Sequence, residues 1–257
     1  MVPGPPRRRG SGRKAELRKR RGIADPGGDV AVIMAAWNAS RYILEALESI
    51  EQQKPRTGWA YGLRLGVDGC EATSRFLIRA GVTHWWSPEN VGPYVMRNSL
   101  IELAPCAAYA IFDADDKMRD EYLAELLAWV GSDGIAGAGR TQVKADGTLL
   151  KRRTSYKSGV CIISHDAWKK LGGYRPWPMA ADYDLITRAN KLKIPVRAVK
   201  KALYIRRVHS DSLTQRKETG FKSQQRVEFA SRARSLAKHA HNLKVFPVTT
   251  PLELRAP

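Results

Sequence analysis

Tyr109-Ala110-Ile111-Phe112 runs straight into Asp113-Ala114-Asp115-Asp116. Four consecutive apolar residues read as a strand buried on both faces, and the acids stand at its carboxyl end. Upstream, Gly92-Pro93 opens a helix through Leu103, with Pro in its first turn. Before it come a short strand at Val82–Trp86, a short helix at Phe76–Ala80, and a strand at Leu63–Val67 that stops at Asp68-Gly69. Val30-Ala31-Val32-Ile33-Met34 is a further buried strand. Asn38 and Ser40 then offer helix starts ahead of Tyr42, Ile43, Ala46, Leu47 and Ile50 at helical spacing. Downstream, Tyr122, Leu123, Leu126, Leu127 and Val130 mark the next helix. The alternation βαβαβαβ predicts an α/β protein with a mainly parallel sheet covered by helices. Ligands of such sheets bind beyond the carboxyl ends of the strands, where Asp68 and the 113–116 acids fall.

The second half changes character. Ile135–Lys144 and Thr148–Arg153 flank Asp146-Gly147, a hairpin signal. Val160–Ser164 reads as a strand, and Asp166–Leu171 as a short helix stopped by Gly172-Gly173. Asp182–Leu192 reads as a helix, Val196–Val199 and Ala202–Ile205 as two strands, and Phe221–His241 as a basic helix. There is no internal repeat.

Charge divides the chain further. Of the net +19, residues 1–22 carry +8, with almost no apolar residues, so 1–28 is expected to be a disordered basic tail. The expected units are that tail, a catalytic domain over 29–214, and a basic C-terminal helix and tail over 215–257. A basic chain attracts polyanions: nucleic acid, phosphorylated small molecules or acidic membranes. No apolar run approaches the roughly 20 residues a transmembrane helix needs, and no secretory signal opens the sequence. Cys70, Cys106 and Cys161 are few and far apart, which argues against a disulfide framework or a multi-cysteine zinc site and suits the cytoplasm.

Three groups could do chemistry. Asp113, Asp115 and Asp116 repel one another, a cost that a divalent cation removes; Mg²⁺ or Mn²⁺ suits such oxygens. An exposed acidic turn, or a helix cap at Asp116 or Asp120, is the plainer reading. The Asp-x-Asp of haloacid dehalogenase phosphatases wants Thr or Val where Lys117 stands. Asp182 lies in Met179-Ala180-Ala181-Asp182-Tyr183-Asp184-Leu185, after a Pro- and Trp-rich loop. A helix start favours a carboxylate by roughly 0.3–1 kcal/mol. In a cleft, that carboxylate can take a proton from an attacking hydroxyl; otherwise it is an N-cap. His209, beside Arg206 and Arg207, offers the neutral ring that metals prefer.

Taken together, the pieces resemble the family 2 nucleotide-sugar glycosyltransferases, from Val30 to about Thr214. The segments that carry the likeness follow in order: Val32-Ile33-Met34-Ala35-Ala36-Trp37-Asn38, Val67-Asp68-Gly69, Glu89-Asn90-Val91-Gly92, Arg97-Asn98, Phe112-Asp113-Ala114-Asp115-Asp116, Gly172-Gly173-Tyr174 with Asp182-Tyr183-Asp184-Leu185, and Tyr204-Ile205-Arg206-Arg207-Val208-His209. There are departures: Ala35-Ala36 replaces Pro-Thr, Val67 stands in for the first acid of an Asp-Asp pair, and Ala181 replaces the acid that often precedes the base.

The resemblance implies a GT-A-like fold: a Rossmann-type, mainly parallel sheet flanked by helices, with a C-terminal acceptor-side portion. It implies a hexosyltransferase-type enzyme that uses a nucleoside-diphosphate sugar, UDP-linked in expectation, with Mn²⁺ or Mg²⁺. Ala36, Trp37, Asn38, Asp68, Asn90, Arg97 and Asp113 would bind the donor, and Asp115 and His209 the metal. Asp182 would be the base of a single inverting displacement. The acceptor stays open among protein, glycan and modified DNA, with polyanion contact through the tail. Two rivals remain. A nucleotidyltransferase would carry a Gly-rich basic loop where Ala36-Trp37-Asn38-Ala39-Ser40 stands. A nucleic-acid-binding protein fits the charge, yet the chain has no zinc-finger spacing or RNA-recognition signature.

Overall fold

The structure is a computed structural model that describes residues 29–54, 59–156, 159–239 and 245–257. The basic tail expected over 1–28 lies outside the described residues. In chain order the elements are β1 (Val30–Ala36), α1 (Ile43–Glu51), β2 (Tyr61–Asp68), α2 (Glu71–Arg79), β3 (His84–Ser87), α3 (Pro93–Glu102), β4 (Ala108–Asp113), β5 (Lys117–Met118) and α4 (Tyr122–Val130). There follow β6 (Ile135–Lys144), β7 (Leu149–Arg153), β8 (Cys161–Ser164), α5 (His165–Leu171), α6 (Ala181–Lys191), β9 (Val196–Val208), α7 (Gln224–Ala237) and β10 (Glu253–Arg255).

One mixed sheet holds all the strands of the described residues, in the order β10-β3-β2-β1-β4-β8-β6-β9-β5, with β7 hung on β6. β1 to β4, β6 and β9 share one direction, and β5, β7, β8 and β10 oppose them. β1 lies between β2 and β4, so it is covered on both faces. Its Val30, Val32 and Met34 join one core with α1, α2 and α4. Its Ala31 and Ile33 join a second core with α3, α5 and α6. A period of two with both faces buried is why this run reads as continuously apolar. Among the described residues, no helix is long and apolar enough to cross a membrane.

Several elements differ from expectation, each for a local reason. Asn38 and Ser40 do not cap α1. Asn38 is left-handed at φ 49°, Ala39 to Tyr42 form a turn, and the N-cap is Tyr42, without a side-chain bond. α2 begins at Glu71, earlier than Phe76, because its polar first turns are buried: Thr73 Oγ1 accepts from Ala39 N–H, and Ser74 Oγ meets His84 Nε2. β9 is one strand. Its register shifts opposite Ala138–Arg140, where the exposed Lys200 and Lys201 bulge out and break the apolar pattern. The basic helix is shorter than Phe221–His241. Ser223 caps it by accepting from Arg226 N–H, so Phe221 lies ahead of α7, and 240–244 are not among the described residues.

β5 and β10 had no signal. Before β10, residues 245–250 run behind α3, where Asn98 Nδ2 donates to Val248 O (3.1 Å) and Thr250 N donates to Ser99 Oγ (2.8 Å). They also cross the end of α5. Gly172 there is left-handed at φ 68°, and a Cβ on it would stand 1.7 Å from Val245 O.

His84 is buried between Ser74 Oγ (2.8 Å) and Val82 O (3.2 Å). Burial lowers its pKa below 6.5, aided by Arg255 and opposed by the Val82 carbonyl. The fold therefore holds the neutral ring, and the unfolded chain binds the extra proton in mild acid. Stability is full above pH 6.5 and falls as pH drops below it. In His84→Gln, the decline of melting temperature between pH 7 and pH 5 is expected to flatten relative to wild type.

Candidate active site

The carboxyl ends of β1, β2, β4 and β9 open on one cleft of about 630 Å³. Ala36 closes β1, and Trp37 and Asn38 follow it into the cleft lining. The Trp37 side is partly open, at 44% exposure, and the Arg216 guanidinium lies 4.8 Å from its ring centroid. Asp68 closes β2 and is buried, and its Oδ1 accepts from Val91 N–H at 2.7 Å. Burial raises its pKa, and the Val91 and Gly92 amides pull it back. Gly69 at φ 61° lets this turn approach its neighbour, since a Cβ would stand 2.3 Å from Asn90 N. Asn90 is thereby held at the cleft wall.

The acids after β4 have separate surroundings. Asp113 Oδ1 takes Arg97 Nη2 at 2.5 Å, so Arg97, on α3, meets the cleft through Asp113. Burial raises the Asp113 pKa; Arg97 opposes that, and Asp115 adds to it. Asp116 is buried and faces inward, and its Oδ1 accepts from Arg207 N–H at 2.9 Å. Burial first, then Asp115 and Asp113, hold its carboxyl well above the usual range. That bond ties the end of β9 to the acidic turn, and two residues later His209 Nε2 stands 2.9 Å from Asp115 Oδ2. Arg207 also donates to Asp115 O (3.3 Å) and to Glu45 Oε2 (2.9 Å), and it lies over the Tyr42 ring at 4.4 Å. The same ring packs on His209 at 4.9 Å.

The donors suit a divalent cation. One atom each from Asp113, Asp115 and Asp116 lie within 4.8 Å of one another. Asp113 and Asp116 already hold Arg97 and the Arg207 amide. Asp115 and His209 are less committed, and their facing atoms are spaced as two ligands of one ion would be.

Across the cleft, Asp182 is the second residue of α6, and Ala180 holds the N-cap position in a left-handed conformation. Its Oδ1 accepts from the Tyr94 hydroxyl at 2.9 Å. Burial first, then Asp182, keep that hydroxyl well above its usual pKa, so it stays a donor. Asp184, two residues on, is 0% exposed and faces away. Arg188 Nε (2.8 Å) and Arg175 Nε (3.2 Å) hold it, and Arg188 also binds Leu171 O and Gly173 O. Asp182 lines the cleft and Asp184 fixes the loop below it.

The structure thus brings Ala36, Trp37, Asn38, Asp68, Asn90, Arg97, Asp113, Asp115, Asp182 and His209 to one cleft. Sequence reading missed Tyr42, Tyr94, Arg207 and Arg226. A doublet of Arg beside a candidate ligand drew no role for Arg207, and nothing near Tyr94 points to a partner 88 residues away.

Solved glycosyltransferases share this fold. S. aureus TarS 1–349 in complex with UDP superposes with a TM-score of 0.56 at 14% identity, covering 83% of this chain and 71% of that one. The mannosyltransferase PcManGT from Pyrobaculum calidifontis, in complex with GDP-Man and Mn²⁺, does so at 0.59 and 15%, covering 89% and 81%. No curated protein matches the sequence. The profile described as Glycosyl transferase family 2 matches residues 31–213, from β1 to just past His209. Fold and profile agree that the chain is a GT-A glycosyltransferase and belongs to glycosyl transferase family 2.

Proposed function

We propose that the enzyme transfers a hexose from a nucleoside-diphosphate sugar, UDP-linked, to an acceptor hydroxyl by a single inverting displacement that depends on Mn²⁺ or Mg²⁺. The observation that carries this reading is the meeting of Asp115 and His209, 94 residues apart, in the cleft that Asp182 also lines. Two TarS structures hold UDP and UDP-GlcNAc, and PcManGT holds GDP-Man with Mn²⁺, which supports the donor class and the metal.

In this reading Ala36, Trp37, Asn38, Asp68 and Asn90 receive the nucleoside. Arg97 orients Asp113 toward ribose or metal. Asp115 and His209 hold the cation, which when bound supplies positive charge for a departing diphosphate. Asp182 takes the proton of the acceptor hydroxyl as that oxygen bonds to the anomeric carbon and the bond to diphosphate breaks. Tyr94 holds one oxygen of Asp182 and leaves the other for this proton. The cysteines form no disulfide among the described residues, and the cytoplasm is the proposed compartment.

Asp115→Ala tests the metal assignment. It is expected to abolish transfer and the Mn²⁺-dependent part of UDP binding in calorimetry, with melting temperature unchanged. Equal UDP affinity with and without Mn²⁺ in wild type, or normal turnover in the variant, removes Asp115 from the metal site.

A further inference from the structure

Among the described residues six arginines line the cleft, and two of them are matched by carboxylates: Arg97 by Asp113 and Arg207 by Glu45. Arg140, Arg206, Arg216 and Arg226 have no carboxylate partner among the described residues. Arg216 lies on Trp37, on the nucleoside side. Arg226 lies elsewhere. It stands in the first turn of α7, which packs on α6, with Ala233 buried and Phe229 against Trp177 in the loop ahead of α6. It lines the same cleft as Tyr94 and Asp182, and Tyr94 is the residue bonded to Asp182.

Arg226 is also held for use. Nε donates to Thr219 O at 2.8 Å, and the guanidinium lies 5.4 Å from the Phe221 ring centroid. Arg206 lies 5.5 Å from the same centroid, with Nη2 on Thr214 Oγ1. Phe221 leaves 57% of its surface exposed between them. Yet Arg226 Nη2 is buried without a hydrogen-bond partner among the described residues, as is Arg140 Nε on the same cleft lining. A buried guanidinium N–H without an acceptor is costly, and an anion removes that cost through a charge-assisted bond. Phe221 and Arg226 both lie beyond residues 31–213, the part the family profile covers. They line the same cleft as Asp182.

We propose that the acceptor carries a phosphate or carboxylate, and that Arg226, with Arg206 and the Phe221 ring, binds it beside Asp182. This rests on the reading of Asp182 as the base, because that reading makes the Tyr94 side the acceptor side. The subsite sets substrate class: an anion balances the guanidinium charges of Arg226 and Arg206, and a neutral hydroxyl compound accepts a hydrogen bond without balancing them.

The test uses the full chain saturated with UDP and Mn²⁺, so that the donor's own phosphate positions are filled. Glucose 6-phosphate, glucuronate and glucose are titrated separately by calorimetry. At least one of the two anionic sugars is expected to bind about 10-fold or more tightly than glucose, the worth of one charge-assisted hydrogen bond; which one does so distinguishes phosphate from carboxylate. Arg226→Met is expected to erase the preference and Arg226→Lys to keep part of it, with UDP affinity the same in both and melting temperature reporting the fold. Equal binding of all three sugars by wild type, or a preference that survives Arg226→Met, overturns the proposal. So does weaker UDP binding in a folded Arg226→Met, which would assign the side chain to the donor. Failure of the underlying reading looks different: Asp182→Asn then transfers sugar normally, while the anion titrations are unaffected.

Discussion

Asp182→Asn is expected to slow sugar transfer by about 10²–10⁴-fold, the usual worth of a general base, and to leave UDP affinity as it was. The substitution is nearly isosteric. An Asn carbonyl oxygen still accepts from the Tyr94 hydroxyl, so the first turn of α6 keeps its tie to α3. Only the capacity to take a proton goes. Single-turnover transfer with saturating donor reads the chemical step, and calorimetry with UDP reads the nucleotide site. A near wild-type rate would leave Asp182 as no more than an anchor for Tyr94.

Asp184→Ala gives the opposite result, a loss of stability. This carboxylate is wholly buried between Arg188 and Arg175. Removing one partner of a buried pair strands the other charge and costs about 3–5 kcal/mol. For a protein of this size that lowers the melting temperature by roughly 10 °C. Arg188 also braces Leu171 O and Gly173 O, so the loop leading to Asp182 loosens with it. Thermal unfolding followed by circular dichroism measures the loss. An unchanged melting temperature together with abolished transfer would place Asp184, and not Asp182, in the chemistry. The two acids are two residues apart on one helix and face different surroundings, so the pair of variants separates the roles cleanly.

Much of the catalytic frame was legible because its signals are local. Tyr122, Leu123, Leu126, Leu127 and Val130 define α4 at its observed bounds, since each apolar residue of the repeat is buried. Asp68 and Asp113 could be placed at strand ends because apolar runs stop at them. Other parts depend on partners far away in sequence. Asp116 reads as one more metal-type acid, and only its bond to the Arg207 amide, 91 residues on, turns it inward. Asp182 and Asp184 look alike in sequence, and the burial of Arg188 is what tells them apart. β10 is three residues long, with Glu253 and Leu254 exposed, so no periodicity announces it; it forms because β3 offers a free edge.

That edge pairing bears on how the protein is made. Residues 245–255 hold α3 from behind and close over Gly172, and Arg255 lies 4.0 Å from the Trp86 ring centroid. α3 carries both Arg97 and Tyr94. Translation delivers β1 to β4 early, and they can pair while the chain is still growing, but the segment that fastens α3 leaves the ribosome later than every residue proposed for the site. The nascent chain therefore carries Asp68, Asp113, Asp115 and Asp182 before the helix that bears Arg97 and Tyr94 is fastened.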